Sequence, residues 1–221
     1  MEIKYNIGFV TLILTMIAGY CDTVTFVAAD AVFSAHVTGN FIVFAYQFIK
    51  GSDMHAWIKL LTFPVFIIAV IAGGRIAGKM LSHHMILLLE GTLLLSAGIL
   101  VAVLQYNGLF SEVMMYMVAM MTVFAMGLQN AFGKLYAKET HGPTTMMTGN
   151  VTQASLDFGT LLYSGFHHPE ALASLKKQMI TILGFLVGCF LGAYGGKQFG
   201  LVTLIFPGLA MIICYLYRRD K

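Results

Sequence analysis

HVTGN at residues 36–40 returns as MMTGN at residues 146–150, with the shared triplet repeated 110 residues further along a 221-residue chain. One polar Thr-Gly-Asn triplet inside strongly apolar sequence is unusual. Two of them, half a chain length apart, mark two similar halves joined end to end.

Outward from the triplets the chain is greasy. It is 58% hydrophobic and only 10% charged, with a mean hydropathy of +0.82. Soluble domains carry about 25% charged residues, so this composition cannot dress a water-facing surface. Apolar runs of about 20 residues match a hydrocarbon core of about 30 Å. Eight segments can be drawn: Ile7–Ala28, Ala35–Lys50, Trp57–Lys79, His84–Gln105, Glu112–Lys134, Thr144–Gly165, Gln178–Lys197 and Leu201–Tyr217. Backbone inside hydrocarbon must satisfy its own hydrogen bonds, so the expected fold class is an all-α polytopic membrane protein whose first partner is the lipid bilayer. A cleaved signal peptide is not expected, because the first run lacks a small-residue cleavage site and more membrane sequence follows at once. Cys21, Cys189 and Cys214 lie in apolar runs and read as small hydrophobes, with no disulfide or metal spacing.

The halves match in order. Gly19-Tyr-Cys-Asp22 answers to Gly127-Leu-Gln-Asn130, Thr38-Gly39-Asn40 to Thr148-Gly149-Asn150, and Gln47 to Asp157. Gly74-Arg-Ile-Ala-Gly78-Lys79 answers to Gly192-Ala-Tyr-Gly-Gly196-Lys197. The expectation is one membrane domain of two four-segment repeats, residues 1–108 and 109–221.

The pattern of an acidic residue after glycine in the first run (AGYCD), then HVTGN and later GGRIAG, resembles the YoaK-like family of bacterial integral membrane proteins, a domain of unknown function. The resemblance covers most of the chain and implies a multi-pass protein of the bacterial inner membrane. It brings no substrate and no catalytic residues.

Basic residues test whether segments two and six cross. With the N-terminus cytoplasmic, eight spans put 8 of the 13 Lys and Arg inside and 5 outside. If segments two and six dip in and return, the split becomes 10 to 3, which the positive-inside rule favours. That arrangement has three spans per half and is an inverted repeat. Eight full spans in two parallel repeats is the simpler alternative, so the count stands at six to eight.

Asp22 lies deep in the first run, where a carboxylate costs about 2.5–3.5 kcal/mol. Thr11, Thr15, Gly19, Asp22 and Thr25 share one helical face. Asp22 is either an interhelical hydrogen-bonding group or a proton- or cation-responsive carboxylate on a central pathway. Thr and Asn favour helix N-caps and Gly allows a tight turn, so each triplet can open a helix inside the membrane and turn free N–H groups toward a polar solute. Transporters built from internal repeats put substrate sites at such helix ends. Polar stripes continue from the triplets through Asn40 and Gln47, and through Asn150, Gln153 and Asp157. The competing reading is interhelical polar glue. The expected solute-binding set is Asp22, His36, Thr38, Gly39, Asn40, Asn130, Thr148, Gly149, Asn150 and Asp157.

Gly184, Gly188, Gly192 and Gly196, with Gly74 and Gly78, read as ridges for close helix contact, and they also offer a face to a second copy of the chain. Arg75 and Glu90 flank the turn at Ser82 by similar numbers of residues and are expected to form a structural ion pair, with a substrate-contacting Arg75 as the alternative. The Met-rich stretch VMMYMVAMM suits core packing better than copper(I). His83-His84 and His167-His168 fall near segment ends, where solvated histidines are ordinary. No catalytic or nucleotide-binding motif and no basic patch for nucleic acid appears, so neither an enzyme nor a cofactor is expected. The function expected is a small secondary transporter or channel for a polar solute or ion. The alternative is a membrane scaffold or sensor whose polar core only fixes helix register.

Overall fold

The computed structural model describes residues 7–51, 54–79, 85–145 and 147–219. The histidines at 83–84, the turn at Ser82 and both terminal lysines lie outside them. The described residues form eight α-helices and no strand: α1 Ile7–Ala28, α2 Gly39–Lys50, α3 Ile58–Lys79, α4 Met85–Tyr106, α5 Glu112–Leu135, α6 Met147–Tyr163, α7 Pro169–Phe199 and α8 Ile205–Arg219. Short 3₁₀ turns, Met54–Trp57 and Gly200–Leu204, precede α3 and α8. Five runs among the described residues are long and apolar enough to cross a bilayer: α1, His55–Gly78, α4, α5 and Pro169–Leu216, which contains α7 and most of α8. The protein is a multi-pass membrane protein. At 12 residues, α2 is about 18 Å long, short of a hydrocarbon core of about 30 Å.

Its outward faces are apolar. Ile67, Ile68 and Ile71 on α3 and Leu186, Val187 and Phe190 on α7 are all exposed. The interior holds the polar face of α1, with Thr11, Thr15, Asp22 and Thr25 all buried. Three of these threonines return their hydroxyls to their own helix, at Ile7, Thr11 and Cys21 carbonyls. That face is covered by the second half. Thr11 accepts the His141 N–H at 3.0 Å, and the Gln129 amide donates to the Leu14 carbonyl at 2.8 Å.

Glycines set the closest helix contacts. On α7, Gly184 lies against Leu12 and Thr15, Gly188 against Met16, Gly192 against Tyr20, and Gly196 against Val24. The register rises in step on both helices, so α1 and α7 run parallel. A Cβ on Gly188 would come 2.1 Å from the Met16 carbonyl oxygen. This ridge is therefore filled from within the chain and offers no face to a second copy. Helices α3 and α5 are also parallel, with Gly127 against Phe66 and Ala69, and Gly73 against Leu128 and Ala131. Here the expected ridge shifts by one residue. Gly73 makes the contact, whereas Gly74 and Gly78 have open space where a Cβ would go. Helix α4 runs antiparallel to α8, with Gly98 beside Ile205, Leu95 beside Gly208, and Gly91 beside Ile212.

Helix α7 starts nine residues before the apolar segment drawn from sequence. His168 caps it by accepting the Ala171 N–H, and Pro169 occupies the first turn, where its missing N–H costs nothing. Its opening turns carry Glu170, Lys176 and Lys177, which a hydropathy criterion reads as outside.

Candidate solute site between the halves

Each half has a link between its first two helices, and each link is tied to the helix before it. In the first half the tie is Asp22. One carboxylate oxygen accepts the backbone N–H of Ala35 at 2.7 Å and that of His36 at 3.2 Å. The other accepts the Nδ1–H of His36 at 2.7 Å. Asp22 is thus fully engaged, buried behind the link. His36 lies in the link, outside the spans, with 35% of its side chain exposed and its ring edge-on to Phe185 at 5.3 Å. Its hydrogen bond to Asp22 holds the imidazole pKa above its ordinary value. The ion-pair attraction adds to this, and partial burial opposes it.

In the second half the corresponding tie is neutral. Asn130 donates to the Thr145 hydroxyl at 2.7 Å, and neighbouring Gln129 donates to the Thr144 hydroxyl at 2.9 Å. Asp22 meets a residue two positions before Thr38, and Asn130 meets one three positions before Thr148. The signal for Thr144 and Thr145 was in the sequence, as polar residues just upstream of the second triplet.

Both links open on one cavity of ≈ 350 Å³. From the first half it takes Ala35, His36, Val37, Thr38, Phe63 and Phe66. From the second it takes Asn130, Thr145, Met147, Thr148 and Gly149. Thr38 of the first triplet and Thr148 and Gly149 of the second therefore share a single space, with hydroxyls and the Asn130 amide on a mostly aromatic and aliphatic wall. Among the described residues no carboxylate lines it, and His36 is its one titratable group.

Other residues of the expected set lie elsewhere. Asn40 is wholly buried and brackets Phe33, accepting its N–H and donating to its carbonyl, both at 2.8 Å, and it also donates to Thr62 at 3.0 Å. It fixes the link and does not reach the cavity. Thr38 has helical φ and ψ and makes no side-chain cap. The N–H groups of Gly39, Asn40 and Phe41 bond the carbonyls three residues earlier, so the first triplet does not present free donors through this turn. Gly39 packs beneath the Phe33 ring, which a Cβ would touch at 3.0 Å. Asn150 and Asp157 are buried on α6, away from the cavity lining. Gln153 donates to one Asp157 oxygen at 2.8 Å, and the other has no partner among the described residues.

The expected Arg75–Glu90 ion pair does not form. Arg75 is exposed, while Glu90 is fully buried with neither oxygen hydrogen-bonded among the described residues. The equal-distance argument assumed that α3 and α4 pack as a hairpin. Instead α3 packs chiefly on α5, and α4 on α8 and α5.

A second polar cluster escaped the sequence reading. Lys59, with no exposed surface, pairs with Asp30, and the Tyr116 hydroxyl donates to Asp30 at 3.1 Å. The Lys59 ammonium also lies 5.5 Å from the Tyr116 ring centre. Asp30 and Ala31 are both left-handed, at φ 51° and 55°, a conformation that Asp tolerates better than Ala. The available signal was a lone Asp and a lone Lys flanked by apolar residues, each worth about as much concern as Asp22.

Compared with known protein families, residues 10–217 match a family described as protein of unknown function (DUF1275). No curated protein and no solved structure matches the chain.

Proposed function

The chain belongs to the DUF1275 family, whose function is not known, and from its site we propose that it is a small transporter or channel of the bacterial inner membrane. It carries a polar small solute along a path between two inverted repeats. The observation that carries this reading is the shared cavity, where Thr38 of one half faces Thr148 and Gly149 of the other. A scaffold needs no solute-sized space at the place where its two matched motifs meet.

Helix pairing supports the repeat. If α1 to α4 correspond to α5 to α8, exchanging the halves turns the parallel α1–α7 pair into the parallel α5–α3 pair. Matched Gly19 and Gly127 each sit at such a contact, where a Cβ would come 2.3 Å from Phe185 and 2.5 Å from Ala69. The α4–α8 pair maps onto itself, and its two helices run antiparallel. Corresponding helices of opposite direction are what an inverted repeat requires. A short α2 that dips into the membrane and returns agrees with the 10 to 3 distribution of basic residues. A contact with a second copy would have to use faces such as that of Gly74 and Gly78.

The cavity suits an uncharged or singly charged solute with hydrogen-bonding groups on one edge and a flat apolar body. Its volume lies at the lower end of ligand pockets, which span about 300–1,000 Å³. The test is flux into liposomes holding the purified full chain, screened with small anions, amino acids and nucleobases. Gly149→Leu is the control, since nothing lies within 4 Å of a Cβ built there, so the side chain fills the cavity without displacing structure. The reading expects flux of one class, abolished by Gly149→Leu with stability unchanged. No flux and no binding of any class by a folded protein would remove it in favour of the scaffold.

A further inference from the structure

Glu90 lies outside the cavity between the halves. It stands on the buried face of α4 with Ile86, Leu87, Leu94 and Ala97, and no part of it is exposed. Neither of its carboxyl oxygens has a hydrogen-bond partner among the described residues. No charged side chain among them, from α3, α5, α8 or elsewhere, lies within electrostatic reach of it. The titratable groups that do are thiols, Cys214 on α8 and Cys21 on α1. Tyr215, also on α8, turns its hydroxyl to the Met85 sulfur instead.

From this isolation we infer that Glu90 is a proton-binding site, neutral in the conformation described, which exchanges its proton with water when the α4–α8 seam opens. A lone carboxylate in an apolar interior is far costlier than the neutral acid. One proton on one carboxylate oxygen removes the charge and needs no further ligand. A metal ion would need several, and among the described residues no three of His, Cys, Asp and Glu stand together to hold one. Even the neutral acid costs stability when it makes no hydrogen bond, and an apolar side chain of similar size would fill the place without that cost. Ionisable groups inside a membrane domain on such terms mark proton and ion pathways.

Position supports access from both sides, and this part rests on the inverted repeat proposed above. The α4–α8 seam pairs Gly98 with Ile205, Leu95 with Gly208, and Gly91 with Ile212. By the offset that matches Gly74 to Gly192, Glu90 corresponds to Gly208. The seam then meets its own counterpart between Thr92 and Leu93, about 4 Å along α4 from Glu90. In an inverted repeat that point lies on the pseudo-twofold axis, equally far from the two membrane faces. A seam opening toward each face in turn therefore brings water to Glu90 from each in turn.

The test is infrared spectroscopy of the purified full chain in nanodiscs at about pH 8. That is well above the ordinary glutamate value of about 4.3, so exposed carboxyls show no acid C=O band. An acid C=O band is expected that Glu90→Gln removes. Asp157→Asn should leave it, although Asp157 is the other buried carboxyl with an unpartnered oxygen among the described residues. Glu90→Leu serves if the Gln variant does not fold. Transfer of the folded protein to heavy water should shift the band, because the proton exchanges. Absence of a band that depends on Glu90, suppression of the band by added sodium, or a band unmoved by heavy water would each overturn the assignment. No solute enters this measurement. A chain that shows the exchanging band but fails the flux screen therefore keeps the proton site and loses the transporter reading.

Discussion

Gly188 and Gly78 both stand in four-residue glycine spacings on apolar helices, yet substituting them with alanine should have opposite consequences. A Cβ on Gly188 would lie 2.1 Å from the Met16 carbonyl oxygen, and ordinary contact begins at 3.4 Å. The α1 and α7 backbones would therefore have to part by the difference, 3.4 − 2.1, or about 1.3 Å. Neither side can yield locally, because both contacting groups are helix backbone. The flanking contacts at Gly184 and Gly192 are as tight, with a Cβ at 2.3 and 2.4 Å, so separation at one point loosens the whole seam. Alanine gains up to about 1 kcal/mol in helix propensity, but overpacking costs about 1–3 kcal/mol or more. The clash wins, with a net loss of about 1–2 kcal/mol. At Gly78 nothing lies within 4 Å, so only the propensity gain remains. Purified variants would be unfolded by SDS titration from mixed micelles, followed by helical circular dichroism and the fluorescence of Trp57, the single tryptophan. Equal midpoints for Gly188→Ala and the unmodified chain would refute the parallel α1–α7 seam. So would an equal loss in Gly78→Ala.

Asn40→Ala orphans both backbone groups of Phe33 and should lower stability by about 2–4 kcal/mol in the same titration; a loss under about 0.5 kcal/mol would show that the bracket is dispensable. The His36–Asp22 tie should make stability depend on pH. Because the folded His36 pKa is raised, its contribution is fully present below the ordinary value of 6.5 and fades as pH rises through the raised folded value. The stability difference between the unmodified chain and Asp22→Asn should therefore shrink on going from about pH 6 to about pH 9, and a constant difference would mean that His36 does not bind a proton through Asp22. Glu90→Leu removes a buried carboxyl with no partner among the described residues and should raise stability, while Arg75→Ala changes it by no more than about 0.5 kcal/mol. A matched loss in both variants would restore their ion pair.

Class was legible because it rests on composition. Few charges and long apolar runs admit only a membrane solution, and the spans at α1, α3, α4 and α5 follow hydropathy closely. Where helices carry polar first turns, as α7 does, hydropathy misses their start and capping chemistry (His168, Pro169) is the better guide. The triplets lie beside the cavity, but not with the atoms expected. Thr-Gly-Asn suggested side-chain caps and free N–H donors, but Asn40 spends its amide on Phe33, and the hydroxyls and the His36 ring line the space instead. Periodicity also cannot say which helices are neighbours. Arg75 and Glu90 looked paired only because consecutive helices were assumed to pack together. The Lys59–Asp30 pair was hidden for the converse reason, since it joins residues 29 positions apart that no local period connects.

The two links differ in a way that bears on how such a site could be switched. Both are tied to the preceding helix, but His36 can change charge near neutral pH, whereas Asn130 and Thr145 cannot. If the halves are copies, the fold accepts either chemistry at this tie, so a titratable pair is not needed to hold the link. What the first half adds is sensitivity. Loss of the His36 proton weakens one wall of the shared cavity and leaves the opposite wall as it was. A cavity closed by two equal walls would respond symmetrically and could not favour one side of the membrane. Under the transporter proposed above, a difference in pH across the bilayer would act on a single half, and that would supply the bias that alternating access between inverted repeats requires. Asp22→Asn with His36→Thr would give the first half the neutral chemistry of the second. On this argument that double variant folds and still passes solute down its own gradient, but it no longer concentrates solute when driven by a pH gradient.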